Sequence, residues 1–200
     1  MKNQVKGFTL IELLIVIGII AILATVVILT LNPAELLRQA RDSTRTSDFA
    51  TLKSAISLFG ADVATTSSAY GQSIKSAPAT CYISITRGGT MSTGNCGGRF
   101  VNAVTVVASS TEENKRLVNG SGWIPINLNA ISSGAPISAW PVDPVSPNAG
   151  SSSYAYATDG SGGFEINGVL ESTKFASSSS NDGGDRNDLY EAGTQPGLTL

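Results

Sequence analysis

The longest feature of the hydrophobic pattern lies near the N-terminus, where only Gly18, Thr25 and Thr30 interrupt an otherwise apolar run from Leu13 to Leu31. A run of that length matches one crossing of a bilayer core, about 20 helical residues. Glu12 stands just inside this hydrophobic sequence, where an ionised carboxylate is costly unless a partner meets it. A plain membrane anchor has no use for such a residue.

Past the run, Asn32-Pro33-Ala34-Glu35 has the local form of a helix start, with Asn as N-cap, Pro at the first helical position and Glu at the third. Read alone, this says that one helix ends and another begins. Yet the residues that follow are again strongly helical through Phe59, and the expectation is a single helix from about Phe8 to Phe59, bent at Gly18 and Pro33. At 1.5 Å per residue it would reach roughly 75–80 Å. In its outer half Phe49, Leu52, Ile56 and Phe59 recur at helical spacing, a stripe that faces a core, and Gly60 is the expected C-cap.

Beyond Gly60 the period changes. Residues 61–80 read as a connecting loop. Short strands are then expected at Tyr82–Thr86, at Phe100–Val107, and at Trp123–Leu128, where Pro125 argues for a sheet edge. Glu112–Arg116 reads as an exposed turn. Pro136, Pro141, Pro144 and Pro147 exclude a helix around Trp140. Tyr154–Ala157 and Phe164–Leu170 read as a hairpin, and the tail from Ser177 to Asp188 as a surface loop. The division that follows is 1–7 leader, 8–31 apolar helix half, 32–60 amphipathic helix half and 61–200 β-rich head. The class is α+β, a long N-terminal helix with a small antiparallel sheet.

Composition narrows the chemistry. Charged residues make up 14% and the formal charge is −2, which gives a polyanion such as nucleic acid no electrostatic attraction. The one basic cluster, Arg38, Arg41 and Arg45, is interleaved with Glu35, Asp42 and Asp48 and reads as a solvated or subunit-facing helix surface. Cys81 and Cys96 bracket the first strand. With no histidine in the chain and neither redox nor zinc spacing, they read as a structural disulfide formed in an oxidising compartment. The same lack of histidine, of a Gly-x-Ser-x-Gly elbow and of a Walker loop leaves little support for a membrane-tethered enzyme. Asn119-Gly120-Ser121 fits a glycosylation acceptor, a pattern short enough to be frequent by chance.

A cleaved secretory signal with its cut near Ala21–Ala24 would not carry Glu12 in its apolar core. Lys6-Gly7-Phe8-Thr9-Leu10-Ile11-Glu12-Leu13-Leu14 instead resembles the processing motif of type IV pilins and type II secretion pseudopilins. The strong likeness covers residues 1 to about 59. It implies cleavage between Gly7 and Phe8 by a prepilin peptidase on the cytoplasmic face and N-methylation of Phe8. It also implies that Glu12 pairs with the amino terminus of an adjacent subunit. By the same resemblance the leader is cytoplasmic and the head is outside the inner membrane. The fold would be the pilin ladle, and the product a homo-oligomeric filament raised by a pilus assembly machinery.

The stretch from Asp143-Pro144 to Tyr154 and Tyr156 is similar to the sheet entry of major pseudopilins and small bacterial pilins, but lacks the aromatic residue those pseudopilins often carry after the Asp-Pro. Major pseudopilins bind calcium near the C-terminus. Asp182, Asp185, Asp188 and Glu191 are the expected Ca²⁺ ligands by that likeness, although their spacing is not that of an EF-hand. The expected function is a structural pilus subunit, the major pilin, with its head available for adhesion. Pseudopilin and minor tip pilin share the same N-terminal motif.

Overall fold

The structure is a computed structural model and describes residues 7–64, 80–86, 90–91, 96, 98–100, 105–109, 111, 113–145 and 153–197. The leader before Gly7, most of the expected loop at 61–80, the Gly88-Gly89 turn, the first part of the strand expected from Phe100, Glu112 and Pro147 lie outside the described residues. The chain divides into two compact units, residues 1–38 and 39–200.

In the first unit helix α1 (Leu10–Leu31) starts at an N-cap, Thr9, with extended backbone. The polar interruptions are absorbed locally. Thr25 Oγ1 donates to the Ala21 carbonyl and Thr30 Oγ1 to the Val26 carbonyl, so neither hydroxyl is left unpaired in an apolar surround. The helix continues through Gly18 without interruption.

The interruption falls instead at Asn32. Its backbone is left-handed, φ 40° and ψ 75°, a conformation that Asn tolerates better than other side-chain-bearing residues. The same residue starts α2 (Pro33–Asp62). Its carbonyl accepts from the Glu35 and Leu36 N–H groups and its side chain from Glu35 N–H. One asparagine thus ends one helix and caps the next, and Pro33 occupies the first position of α2, where its missing N–H costs nothing. The expectation of a single helix bent at Pro33 is corrected to two helices joined at Asn32.

In the second unit α2 buries Phe49, Leu52, Ala55, Ile56 and Phe59, as its stripe predicts. It runs past Gly60 to Asp62, so Gly60 is not the cap. Asp62 ends the helix by accepting from the Ser132 N–H and hydroxyl, both at 2.7 Å.

Among the described residues the sheet has six strands: β1 (Thr80–Thr86), β2 (Thr90–Met91), β3 (Thr105–Ser109), β4 (Ala155–Thr158), β5 (Phe164–Gly168) and β6 (Tyr190–Gly193). Their order is β2-β3-β1-β4-β5-β6. From β1 through β4 and β5 to β6 every pairing is antiparallel, and β4 and β5 form the expected hairpin. The departure from an all-antiparallel sheet is β1 with β3, which run parallel. The class is α+β.

One sheet face packs on α2. Phe49 meets Tyr154 edge-on at 4.8 Å and stacks on Tyr190 at 5.5 Å between ring centroids. Gly168 makes room for this contact, since a Cβ there would stand 2.8 Å from Phe49 Cζ. The other face carries Cys81, Ile83 and Ile85 with Ala155 and Ala157, covered by Cys96 and Phe100. Cys81 and Cys96 are joined as a disulfide.

Trp123–Leu128 is not a strand. Only an isolated bridge, Asn119 to Asn127, and a 3-10 turn at Leu128–Ala130 form there. Trp123, Ile124, Ile126 and Leu128 are all buried, so adjacent side chains point into one core rather than alternating. Trp123 N–H is taken by the Lys115 carbonyl and Leu128 N–H by that of Val118, while Pro125 has none to give. These two donors are thus met by the preceding turn in place of a sheet partner. That turn is also less exposed than its composition suggests, because Lys115 is buried.

Candidate functional site

The N-terminal candidates lie together in a few residues. Gly7, Phe8 and Thr9 precede the helix, and Phe8 is 83% exposed. The Gly7–Phe8 bond is therefore outside the hydrogen-bonded helix, in a form that a protease groove can receive, and among the described residues nothing beyond its chain neighbours lies within 4 Å of the position a Gly7 Cβ would take. A helical bond would first have to unwind.

Glu12, at the third helical position, closes a capping box with Thr9. The Thr9 N–H and hydroxyl donate to Glu12 Oε2 at 2.9 and 2.7 Å, and the Glu12 N–H returns a longer bond to Thr9 Oγ1 at 3.3 Å. In this state the carboxylate is solvated by its own chain, and its other oxygen meets no donor among the described residues. Sequence reasoning missed Thr9, although Thr-x-x-Glu ahead of an apolar run is a legible signature of such a box. All four residues belong to the first unit and lie at the start of a helix whose span Leu10–Ile28 is long and apolar enough to cross a membrane.

The head contains a second set of charges that the sequence did not place. Arg45 is fully buried on α2. Its Nε and Nη2 fork onto Asp143, at 2.7 and 3.1 Å, Nη1 meets Asp42 at 2.7 Å, and Nη2 also meets Glu171. Glu171 in turn receives Arg41. Asp42, also fully buried, accepts from the Glu171 and Ser172 N–H groups and the Ser172 hydroxyl. The expectation of a solvated arginine surface is thus wrong for Arg45, because its fork geometry satisfies three carboxylates at once where a lysine could not.

Burial works against the Arg45 charge, yet the hydrogen bonds it donates to Asp143, Glu171 and Asp42 raise its pKa above the ordinary value. For Asp42, burial is outweighed by donors from Ser172, Glu171 and Arg45, and the carboxyl sits below its usual range. Glu171 is held low in the same way by Arg41 and Arg45. The Asp143-Pro144 stretch thereby acquires a role, since Asp143 locks the 141–145 loop to α2 and accepts from Val145 N–H as well. Asp48 is different. Burial pushes it up, although the Tyr154 hydroxyl donates to it at 2.8 Å.

The four carboxylates expected to bind calcium are not gathered. Both Asp182 oxygens accept backbone N–H groups, Asp188 pairs with Arg186, and Glu191 is buried in β6. Among the described residues no three Asp, Glu, Cys or His side chains are placed to hold a metal ion.

Residues 2–28 match the family model of the prokaryotic N-terminal methylation motif. This is the prepilin-type signal of type IV pilins and pseudopilins, proteins of a structural kind, and the chain carries it on the residues just described. The motif implies processing by a prepilin peptidase and assembly into a pilus or pseudopilus, and with α1 it fits membrane anchoring. No curated protein and no solved structure matches the chain.

Proposed function

We propose that the chain is the structural subunit of an extracellular type IV pilus, its major pilin, cut between Gly7 and Phe8, N-methylated at Phe8 and assembled with copies of itself. The observation that carries this reading is α1. Over Leu10–Ile28 it is apolar on all sides, and none of that span is buried within its own chain. Such a helix is at home in lipid or inside a bundle of its own kind. The subunit would wait in the inner membrane with its head outside, then be extracted by the assembly machinery so that the helices bury one another.

Thr9 gives Glu12 an interim partner for the membrane stage. The new amine at Phe8 of a neighbouring subunit would then take the open carboxylate oxygen during assembly. This reading assigns the head no catalysis and leaves its surface for adhesion.

The test combines intact-mass measurement with imaging of surface filaments. A mature chain beginning at Phe8, and filaments composed mainly of this chain, are expected. Glu12→Ala should insert normally and yield almost no filament. A chain that keeps residues 1–7 or begins after Ala24 would overturn the reading, as would a wild-type filament yield for the Glu12 variant. Filaments in which this chain is rare would move it to the pseudopilins or minor tip pilins.

A further inference from the structure

The Gly7–Phe8 bond stands directly ahead of the residue that fixes where α1 begins. Thr9 has extended backbone, φ −84° and ψ 153°, whereas a residue inside an α-helix has ψ near −42°. A helix grown by one more turn toward the N-terminus would need the Thr9 N–H for the Val5 carbonyl and the Glu12 N–H for the Phe8 carbonyl. Both donors are already taken. Thr9 N–H donates to Glu12 Oε2 at 2.9 Å and Glu12 N–H to Thr9 Oγ1 at 3.3 Å, while the Thr9 hydroxyl holds the same Oε2 at 2.7 Å. The helical ladder starts with Leu13 N–H on the Thr9 carbonyl, at 3.3 Å, one residue beyond the bond.

The sequence upstream gives this stop a purpose. Asn3 is of a residue type that caps helices well, and a helix begun there would enclose the Gly7–Phe8 bond. Gly7 opposes such growth by only about fivefold in equilibrium. The remaining hold comes from Thr9, whose hydroxyl caps, whereas a valine of the same shape does not. Cleavage at this bond is a hydrolysis. The oxygen of water joins the Gly7 carbonyl carbon, the C–N bond breaks, and the Phe8 nitrogen leaves with a proton from that water as the new amine. A protease takes backbone that is exposed and open, and a bond inside a helix must first be released.

We infer that Thr9 is a positioning residue for this cleavage: its capping box with Glu12 starts α1 at Leu10 and so holds the Gly7–Phe8 bond in the extended form that the peptidase receives. The inference rests on the processing reading above and adds to it a residue on the Phe8 side of the bond. Thr9 acts by fixing the backbone and takes no part in the chemistry.

The test uses the full-length precursor in detergent micelles with a purified prepilin peptidase. Cleavage is followed by mass, and the start of the helix by NMR secondary shifts at Phe8 and Thr9. The wild type should be cut between Gly7 and Phe8 and show both residues non-helical. Thr9→Val should show helical shifts at Phe8 and a KM raised roughly threefold to tenfold at the wild-type kcat, because bonds held in a helix leave the population that binds. Thr9→Ser and Thr9→Asn, which cap through different groups, should restore both readings.

Wild-type kinetics in Thr9→Val, or a non-helical Phe8 in that variant, would each overturn the inference. So would a Thr9→Asn that is non-helical at Phe8 yet cut as poorly as Thr9→Val, which would assign the hydroxyl to the peptidase's own groove. A wild-type precursor left uncut overturns the processing reading together with this one. A wild type cut at Gly7–Phe8 alongside any of the other three results overturns this one alone.

Discussion

Helices α1 and α2 meet at Asn32 and answer opposite demands. α1 exposes apolar side chains on all sides and buries none of its membrane-length span, whereas α2 turns one face inward and buries Phe49, Leu52, Ala55, Ile56 and Phe59 together with Asp42 and Arg45. Their charges follow the same division. Among the described residues Glu12 on α1 is met only by Thr9, three residues away, while Arg45 on α2 is enclosed by carboxylates from positions as distant in the chain as Asp143 and Glu171. A charge in a helix that has yet to find its environment is kept in hand locally. A charge in a finished core is fixed by tertiary partners, and once fixed it is costly to disturb.

The comparison can be broken most forcefully at Arg45. Arg45→Met leaves Asp42 and Asp143 buried without their cation and should cost about 3–5 kcal/mol in the unfolding free energy of the head. Replacing Asp42 and Asp143 by apolar residues in the same chain should recover much of that loss, because the penalty belongs to the orphaned charges. If the single variant melts like the wild type, the hub is not what joins the 141–145 loop and Glu171 to α2.

Leu52→Ala in the α2 stripe should cost about 2–5 kcal/mol. Leu23→Ala in α1, which loses no contact within the head, should leave the head's melting temperature unchanged and appear only in filament yield. Equal losses from both would mean that α1 is packed after all. Removing the Cys81–Cys96 bridge by a double Ser substitution should cost about 3 kcal/mol in the chain-entropy model, read by denaturant unfolding under non-reducing conditions.

Smaller effects sharpen the picture. Gly168→Ala should cost about 1–3 kcal/mol through its clash with Phe49, visible as a lower denaturant midpoint. The acid response is set by Asp42 and Glu171, both held below their ordinary values of 3.8 and 4.5. Below those values the unfolded chain binds more protons than the folded one, so the stability they add is complete above them and is lost as pH falls through the lower folded pKa values. Unfolding followed from about pH 6 down to pH 2 should show that loss, and Arg45→Met should flatten it.

The chain's N-terminal logic was legible from sequence because it is local. An apolar run, a small residue ahead of Phe8 and an acid at Glu12 need nothing from the rest of the molecule to be recognised, and the stripe of α2 and the β4–β5 hairpin likewise follow from period and turn residues. The two-helix break was legible as well. Asn32-Pro33 carries a cap and a start, and the local reading was the right one. What sequence could not supply was anything that depends on which distant segment arrives. The β1–β3 pair is parallel, the residues from Trp123 to Leu128 are satisfied by Lys115 and Val118 in place of a strand, and Arg45 is buried. The C-terminal acids find backbone donors and Arg186. Hydrophobic period records what each segment would hide, but the donors that accompany a buried charge are brought by the fold, and only the tertiary structure decides whether an acid faces water, an arginine or another acid.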